Sequence, residues 1–200
     1  MGIAMAGFYR IDQVLVQGIA GAAENGLYGA ATRVAFTATV GAGLVLMAGY
    51  PELAKAAAAG RQYTHVLRRV LLLSAGVGLG AALFVAGGAV PLTRLLYGSD
   101  FTDAAALLRV LALVVVANSV TLVGMYSASA LGRERRAVIL ATGMIVANVV
   151  ANVAVIPEYG ALGAAWVSAL GELVLAGGML WISRDWLMPG TRRGRAVNST

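Results

Sequence analysis

Six mostly apolar stretches, at roughly 2–20, 28–49, 70–90, 104–128, 137–156 and 161–183, occupy most of this sequence and decide what it can fold into. About 20 such residues in a helix cross the roughly 30 Å hydrocarbon core of a bilayer. In hydrocarbon every backbone amide must be satisfied within the chain, and the stretches lack the alternation of barrel strands, so helices are required. Composition agrees: 60 % of the 200 residues are hydrophobic and 12 % charged, against about 45–50 % and 25 % in a soluble domain. Mean hydropathy is +0.81. The expected fold class is an all-α membrane protein. Residues 1–183 form six transmembrane helices and 184–200 a basic cytoplasmic tail.

Local signals place the connections. Gly21 to Gly26 reads as a tight turn joining the first two spans as antiparallel neighbours. Pro51, Pro91 and Pro157 follow the second, third and fifth spans, where a missing N–H costs least. The alanine-rich stretch after Pro51 is expected to form a short helix on the cytoplasmic surface. Gly76 and Gly80, four apart, are expected to let helices approach closely. They do not form a phosphate loop, because no strand precedes them and no Lys-Ser/Thr follows.

Charge distribution orients the spans. Eleven of the 15 basic residues fall after the second span (Lys55, Arg61, Arg68, Arg69), after the fourth (Arg133, Arg135, Arg136) and in the tail (Arg184, Arg192, Arg193, Arg195). The alternate connections carry only Arg94. By the positive-inside rule both termini are cytoplasmic. The net charge of +6 is thereby read as a topology signal and a contact with lipid headgroups, with no nucleic-acid partner. Tyr28, Tyr50, Tyr97, Tyr159, Trp181 and Trp186 fall near span ends, as in an aromatic belt.

The absence of cysteine and the single histidine, His65, exclude a disulfide framework, a thiolate metal site and a zinc site, and no cofactor is expected. His65 reads as a solvated loop residue. No catalytic constellation is present, so an enzyme is not expected.

Four charges lie within or near the apolar stretches: Arg10, Asp12, Arg33 and Glu172. Each opposes insertion by about 2.5–3.5 kcal/mol near a helix centre, so the first span must face protein or water. At about 100° per residue, Arg10, Gln13 and Gln17 share one face, while Asp12 lies about 200° from Arg10. Two arrangements satisfy these residues. Asp12 and Arg33 form an ion pair locking the first two helices, or Arg10, Gln13 and Gln17 face a cavity and bind an anionic group, for which arginine's planar fork suits phosphate. Glu172, mid-span, is either a proton- or cation-coupling group or a hydrogen-bonding partner of a neighbouring helix. Asn118, Ser119, Asn148 and Asn152 are expected to join helices.

Several blocks then resemble a known family. Arg10-Ile-Asp12-Gln13-Val-Leu-Val and Gly26-Leu-Tyr28-Gly-Ala-Ala-Thr-Arg33 resemble the start of the second half of oligosaccharide (O-antigen, Wzx-type) flippases. Leu96-Tyr97-Gly98-Ser-Asp-Phe101 is similar to that family's extracytoplasmic loop, and Ala130-Leu-Gly132-Arg133 to its short basic connection. Asn148 and Asn152 through Pro157-Glu-Tyr159-Gly160 to Gly163-Ala-Ala165 resemble its last helix junction. The four blocks, in order, reach nearly the whole chain except the basic tail.

The resemblance implies one lobe of a two-lobe flippase of the multidrug/oligosaccharidyl-lipid/polysaccharide exporter superfamily, in the bacterial inner membrane. Such a protein moves an undecaprenyl-diphosphate-linked glycan by alternating access. Arg10 and Arg33 would then hold the diphosphate or acidic sugars, with Gln13 and Gln17 beside Arg10, and Asp12 or Glu172 would couple transport to an ion gradient. Family members carry about twelve spans, so a missing N-terminal lobe or second half-protein is expected as partner, besides membrane lipids. A peptidoglycan-lipid flippase, a drug or cation antiporter, and a non-transporting scaffold or remnant are the alternatives.

Overall fold

A computed structural model describes the backbone of residues 2–59 and 62–187, with side chains for 11–59 and 62–183. Six α-helices follow one another: α1 (Gly2–Ile19), α2 (Ala22–Ala59), α3 (Tyr63–Gly87), α4 (Ala89–Tyr97), α5 (Ala104–Ala130) and α6 (Glu134–Leu187), with a 3-10 turn at Ser99–Phe101. No strand occurs among the described residues. Four helical stretches, Ala22–Ala59, Tyr63–Gly87, Ala104–Ala130 and Glu134–Ser183, are long and apolar enough to cross a membrane. The chain is a membrane-embedded, multi-pass helical protein.

The surface agrees with that environment. Met47, Leu83, Phe84 and Val150 are each more than 60 % exposed. In water, each would forgo about 1.5–3 kcal/mol of burial energy; in lipid nothing is lost. α5 is the exception. It carries no charge between Arg109 and Arg133, most of it is buried, and it packs against α2, α3 and α6. A helix that is apolar all round belongs inside.

α6 is a hairpin rather than a single rod. Gly160 adopts φ 55°, ψ −144°, a conformation open essentially to glycine. The arms on either side, 134–159 and 161–187, fold back antiparallel, with Gly178 against Leu140, Gly171 against Asn148 and Gly163 against Val155. At 1.5 Å per residue, each arm is roughly 40 Å long. Pro157 lies just before the break. The first residue of the second arm is capped from a distance: the Ala161 N–H donates to Glu24 Oε2 at 2.9 Å. A Cβ added at Gly160 would sit 2.9 Å from the same oxygen. Gly160→Ala is therefore expected to destabilise the protein by about 1–3 kcal/mol through backbone strain alone, with further loss from the displaced cap. Thermal unfolding in detergent reads this out, and an unchanged midpoint would refute it.

Three connections differ from the sequence expectation. The α1–α2 turn is only Ala20 and Gly21, the latter at φ 91°, because α2 begins at once with Ala22 rather than after Gly26. Pro51 does not end α2. It lies on an exposed face, and the alanine-rich stretch continues the same helix to Ala59. Pro91 lies in the first turn of α4, after a break at Gly88, where its absent N–H is harmless.

The close-approach glycine of α3 is Gly78, not Gly76 or Gly80. A Cβ there would lie 2.0 Å from Ser119 Oγ of α5, whereas nothing lies within 4 Å of the other two. Residues two apart on a helix point about 200° apart, so Gly76 and Gly80 face outward when Gly78 faces α5.

Side-chain contacts distinguish the two ends of the bundle. At one end Glu24 reaches Ala161, and Tyr97 packs on Phe101 at 5.5 Å. At the other, a buried chain runs from Tyr63 OH to Ser127 Oγ (2.8 Å) and on to Ser183 Oγ (2.9 Å), joining the start of α3 to the ends of α5 and α6. Arg133 donates there to the Ile182 carbonyl, satisfying an acceptor near the end of α6. Lys55, Arg68, Arg69, Arg135 and Arg136 are exposed on the flanking segments. His65 is exposed in the first turn of α3 rather than in a loop.

Candidate functional site

Asp12 lies on α1 and is buried, 4 % exposed. Its position follows from the α6 hairpin, which presents polar side chains from both arms to α1. Asn152 Nδ2, on the first arm, donates to Asp12 Oδ1 at 3.0 Å. Ser168 Oγ, on the second arm, donates to Oδ2 at 2.8 Å. Tyr28 OH of α2 donates to Oδ2 at 3.4 Å and lies 3.1 Å from Ser168 Oγ. Three donors converge on this carboxyl group, which ties α1 to α2 and to both arms of α6. The second Asn152 N–H goes to Asn148 Oδ1 at 2.9 Å, one helical turn earlier. The Asn152 side-chain oxygen is fully buried and has no partner.

Glu172 lies one turn beyond Ser168 and is equally buried. Asn118 Nδ2 of α5 donates to Glu172 Oε1 at 3.2 Å. Both carboxylates line one enclosed cavity, with Tyr28, Thr32, Asn148 and Ser168 as its other polar walls and Phe36, Leu111, Val114, Met144 and Leu175 among its apolar ones. About 20 Å³ of it is open to the centre of a water molecule, room for about one water. No described lining residue is cationic.

The pairing of Asp12 with Arg33 is not formed. Tyr28 and Thr32 carry the inward face of α2, and Arg33, one residue on, is turned about 100° away and exposed. Arg33 instead borders an open groove of about 450 Å³ with Phe84, Val85, Leu92, Leu96 and Tyr97, between α2, α3 and α4. Among the described residues no carboxylate pairs with it.

Gln13 and Gln17 both turn toward α2 and do not line the cavity. Gln13 Nε2 donates to Thr32 Oγ1 at 3.2 Å, and Gln17 Oε1 accepts from Asn25 Nδ2 at 2.9 Å. Arg10 is on α1, but its side chain lies outside the described residues, as do the arginines of the tail and Trp186.

One participant escaped the sequence reading. Tyr28, expected in an aromatic belt, is 1 % exposed and belongs to the Asp12 cluster. Its spacing of four from Thr32, both polar in an apolar helix, was the available signal.

The chain matches no family model, no curated protein and no solved structure.

Proposed function

We propose that the chain exports a lipid-diphosphate-linked oligosaccharide across the bacterial inner membrane for cell-surface polysaccharide synthesis. It acts by alternating access, as one six-helix lobe paired with a second lobe or half-protein. On this reading α1, α2, α3, α5 and the two arms of α6 each cross the bilayer. The bundle end bearing Arg133, Arg135 and Arg136 is cytoplasmic, in keeping with the positive-inside rule.

The observation that carries the reading is Arg33. An arginine on an apolar helix at membrane depth, exposed and with no carboxylate partner among the described residues, calls for an anion. The groove beside it combines a forked cation, which suits a diphosphate, with an apolar wall for a lipid chain. The peptidoglycan lipid precursor carries the same two features and is the nearest alternative cargo. Asp12 supplies the driving half of the cycle. Its carboxylate, the Asn148 side chain and the Ser168 hydroxyl line one cavity and offer hard oxygens, suited to a small cation.

Arg33→Ala is expected to lower export of the lipid-linked glycan at least tenfold at unchanged protein level, as charge-assisted bonds of about 1.5–3 kcal/mol are lost. Arg33→Lys recovers part of it, keeping the charge but losing the fork. Accessibility of the glycan to an external lectin or glycosidase reports export. Normal export by Arg33→Ala would remove the phosphate role. The two carboxylates in the closed cavity favour one second reading, a cation-driven exporter of the same superfamily with a non-phosphate cargo. In that case Asp12 variants fail and Arg33 variants do not.

A further inference from the structure

We propose that a groove between the two arms of the α6 hairpin binds one anionic diacyl phospholipid, which ties the arms together at their open end. The groove shares no lining residue with the Asp12 cavity or with the groove beside Arg33. The inference goes beyond the export reading and does not rest on it.

The groove has a volume of about 350 Å³. Arg136, Ile139 and Leu140 line it from the first arm, and Gly178, Trp181 and Ile182 from the second. Each arm thus contributes positions i, i+3 and i+4 of one helix face. The arms touch where Gly178 meets Leu140: a Cβ added at Gly178 would lie 2.5 Å from Leu140 Cδ2. Gly160 turns the hairpin at its far end. At this end Arg133 donates to the Ile182 carbonyl, and the lipid adds a second bridge between the arms.

Chemistry selects the occupant. Among the described residues, Arg136 is the one charged group of the lining. It stands just before the apolar stretch of the first arm, and Trp181 near the end of that of the second. Cation and indole therefore lie together at headgroup depth, with Ile139 and Leu140 leading inward from them as an apolar wall. Ile139 is 62 % and Trp181 64 % exposed, so the groove opens outward from the bundle. Arg135 is exposed beside Arg136 and strengthens the positive field. The Ile182 carbonyl, which would repel an anion, is already taken by Arg133.

An acyl chain covers the apolar wall while its phosphate meets the Arg136 guanidinium. A free phosphate would leave the wall bare. A second copy of the chain, in the same membrane orientation, would bring its own Arg135 and Arg136 to the same depth, and like charges repel. A lipid that bridges both arms binds the closed hairpin alone, and so stabilises the folded chain.

The test uses the purified full chain in a neutral detergent. Phosphatidylglycerol is the anionic probe, and phosphatidylcholine with the same acyl chains the zwitterionic one. Native mass spectrometry counts the lipid retained, and thermal unfolding reads its effect. Phosphatidylglycerol at about a hundred times its Kd is expected to raise the unfolding midpoint by about 5–10 °C, and phosphatidylcholine to raise it far less. Arg136→Gln is expected to weaken phosphatidylglycerol binding about tenfold, and Arg136→Lys to weaken it less. Arg69→Gln removes an exposed arginine at the same bundle end but outside the groove, and should leave binding unchanged.

Equal binding of the two lipids overturns the proposal. So do equal losses in Arg136→Gln and Arg69→Gln, which would reduce the site to diffuse attraction. A full shift with inorganic phosphate alone would overturn the lipid as occupant. A midpoint that rises with protein concentration and ignores lipid would make the groove an interface between copies, and overturns it too. Should Arg136→Gln not fold, Ile139→Glu sets a negative charge one turn from Arg136. Loss of the phosphatidylglycerol shift in that variant supports the site, and a full shift overturns it. The roles of Arg33 and Asp12, read by export, stand or fall separately.

Discussion

Asp12→Asn is expected to reduce glycan export by roughly 5–150-fold, the range of a coupling free energy of about 1–3 kcal/mol, while the protein still accumulates in the membrane. The substitution is close to isosteric. Ser168 and Tyr28 are hydroxyls that can rotate from donating to accepting, so the junction of α1, α2 and α6 can re-form around an amide. The negative charge that would attract a coupling cation is lost. Asp12→Leu separates the two roles. It leaves Asn152, Ser168 and Tyr28 without their shared acceptor, and each buried group stranded in this way costs about 1–3 kcal/mol. It is therefore expected to lower both stability and export. Wild-type export by Asp12→Asn, at equal protein level, would reduce Asp12 to a structural residue.

The second large effect is steric. Gly78→Val is expected to destabilise the protein by about 1–3 kcal/mol or more, the usual range for overpacking. Its Cβ alone would lie 2.0 Å from Ser119 Oγ and 2.8 Å from Ser119 Cβ. Ser119 is itself tied back to the Val115 carbonyl at 2.8 Å, so it cannot yield without giving up that bond. Gly80→Val, two residues on, faces open space and should be near neutral. Unfolding midpoints of the two variants in the same detergent make the comparison internal. Equal midpoints would mean that α3 does not meet α5 through Gly78.

What was legible in the sequence and what was not follows from the range of the forces involved. The extent of α5 was readable because lipid solvation acts residue by residue: at Ala104–Ala130 it nearly coincides with the apolar stretch, whereas α2 runs on past Pro51 to Ala59. The Pro157 to Gly160 junction was also readable, since its residues punctuate a helix locally. The partners of Asp12 were not. Pairing it with Arg33 assumed that the helix next in sequence supplies the counter-charge, yet the bonds come mainly from α6. Nothing local in α1 encodes a contact with Asn152. The same limit applies to Glu172 and Asp12, which look unrelated along the chain and share one cavity in space. The glycines of α3 show a subtler limit. Three glycines alternate at 76, 78 and 80, and only the position of α5 selects the middle one.

The bonds from Asn152 and Ser168 to Asp12 span 140 and 156 residues of chain, and this separation bears on how the protein is made. α1 leaves the ribosome well before α6 and is one of the segments least able to rest alone in lipid, because its carboxylate has no partner there. At a synthesis rate of about 5–20 residues per second, roughly 7–28 s pass before Asn152 even exists. Throughout that interval α1 must be sheltered at the insertion machinery, by a chaperone or by another membrane segment. Closure of the α6 hairpin over Asp12 is thus the event that releases α1 from its escort, so a helix made early is secured only when α6 arrives.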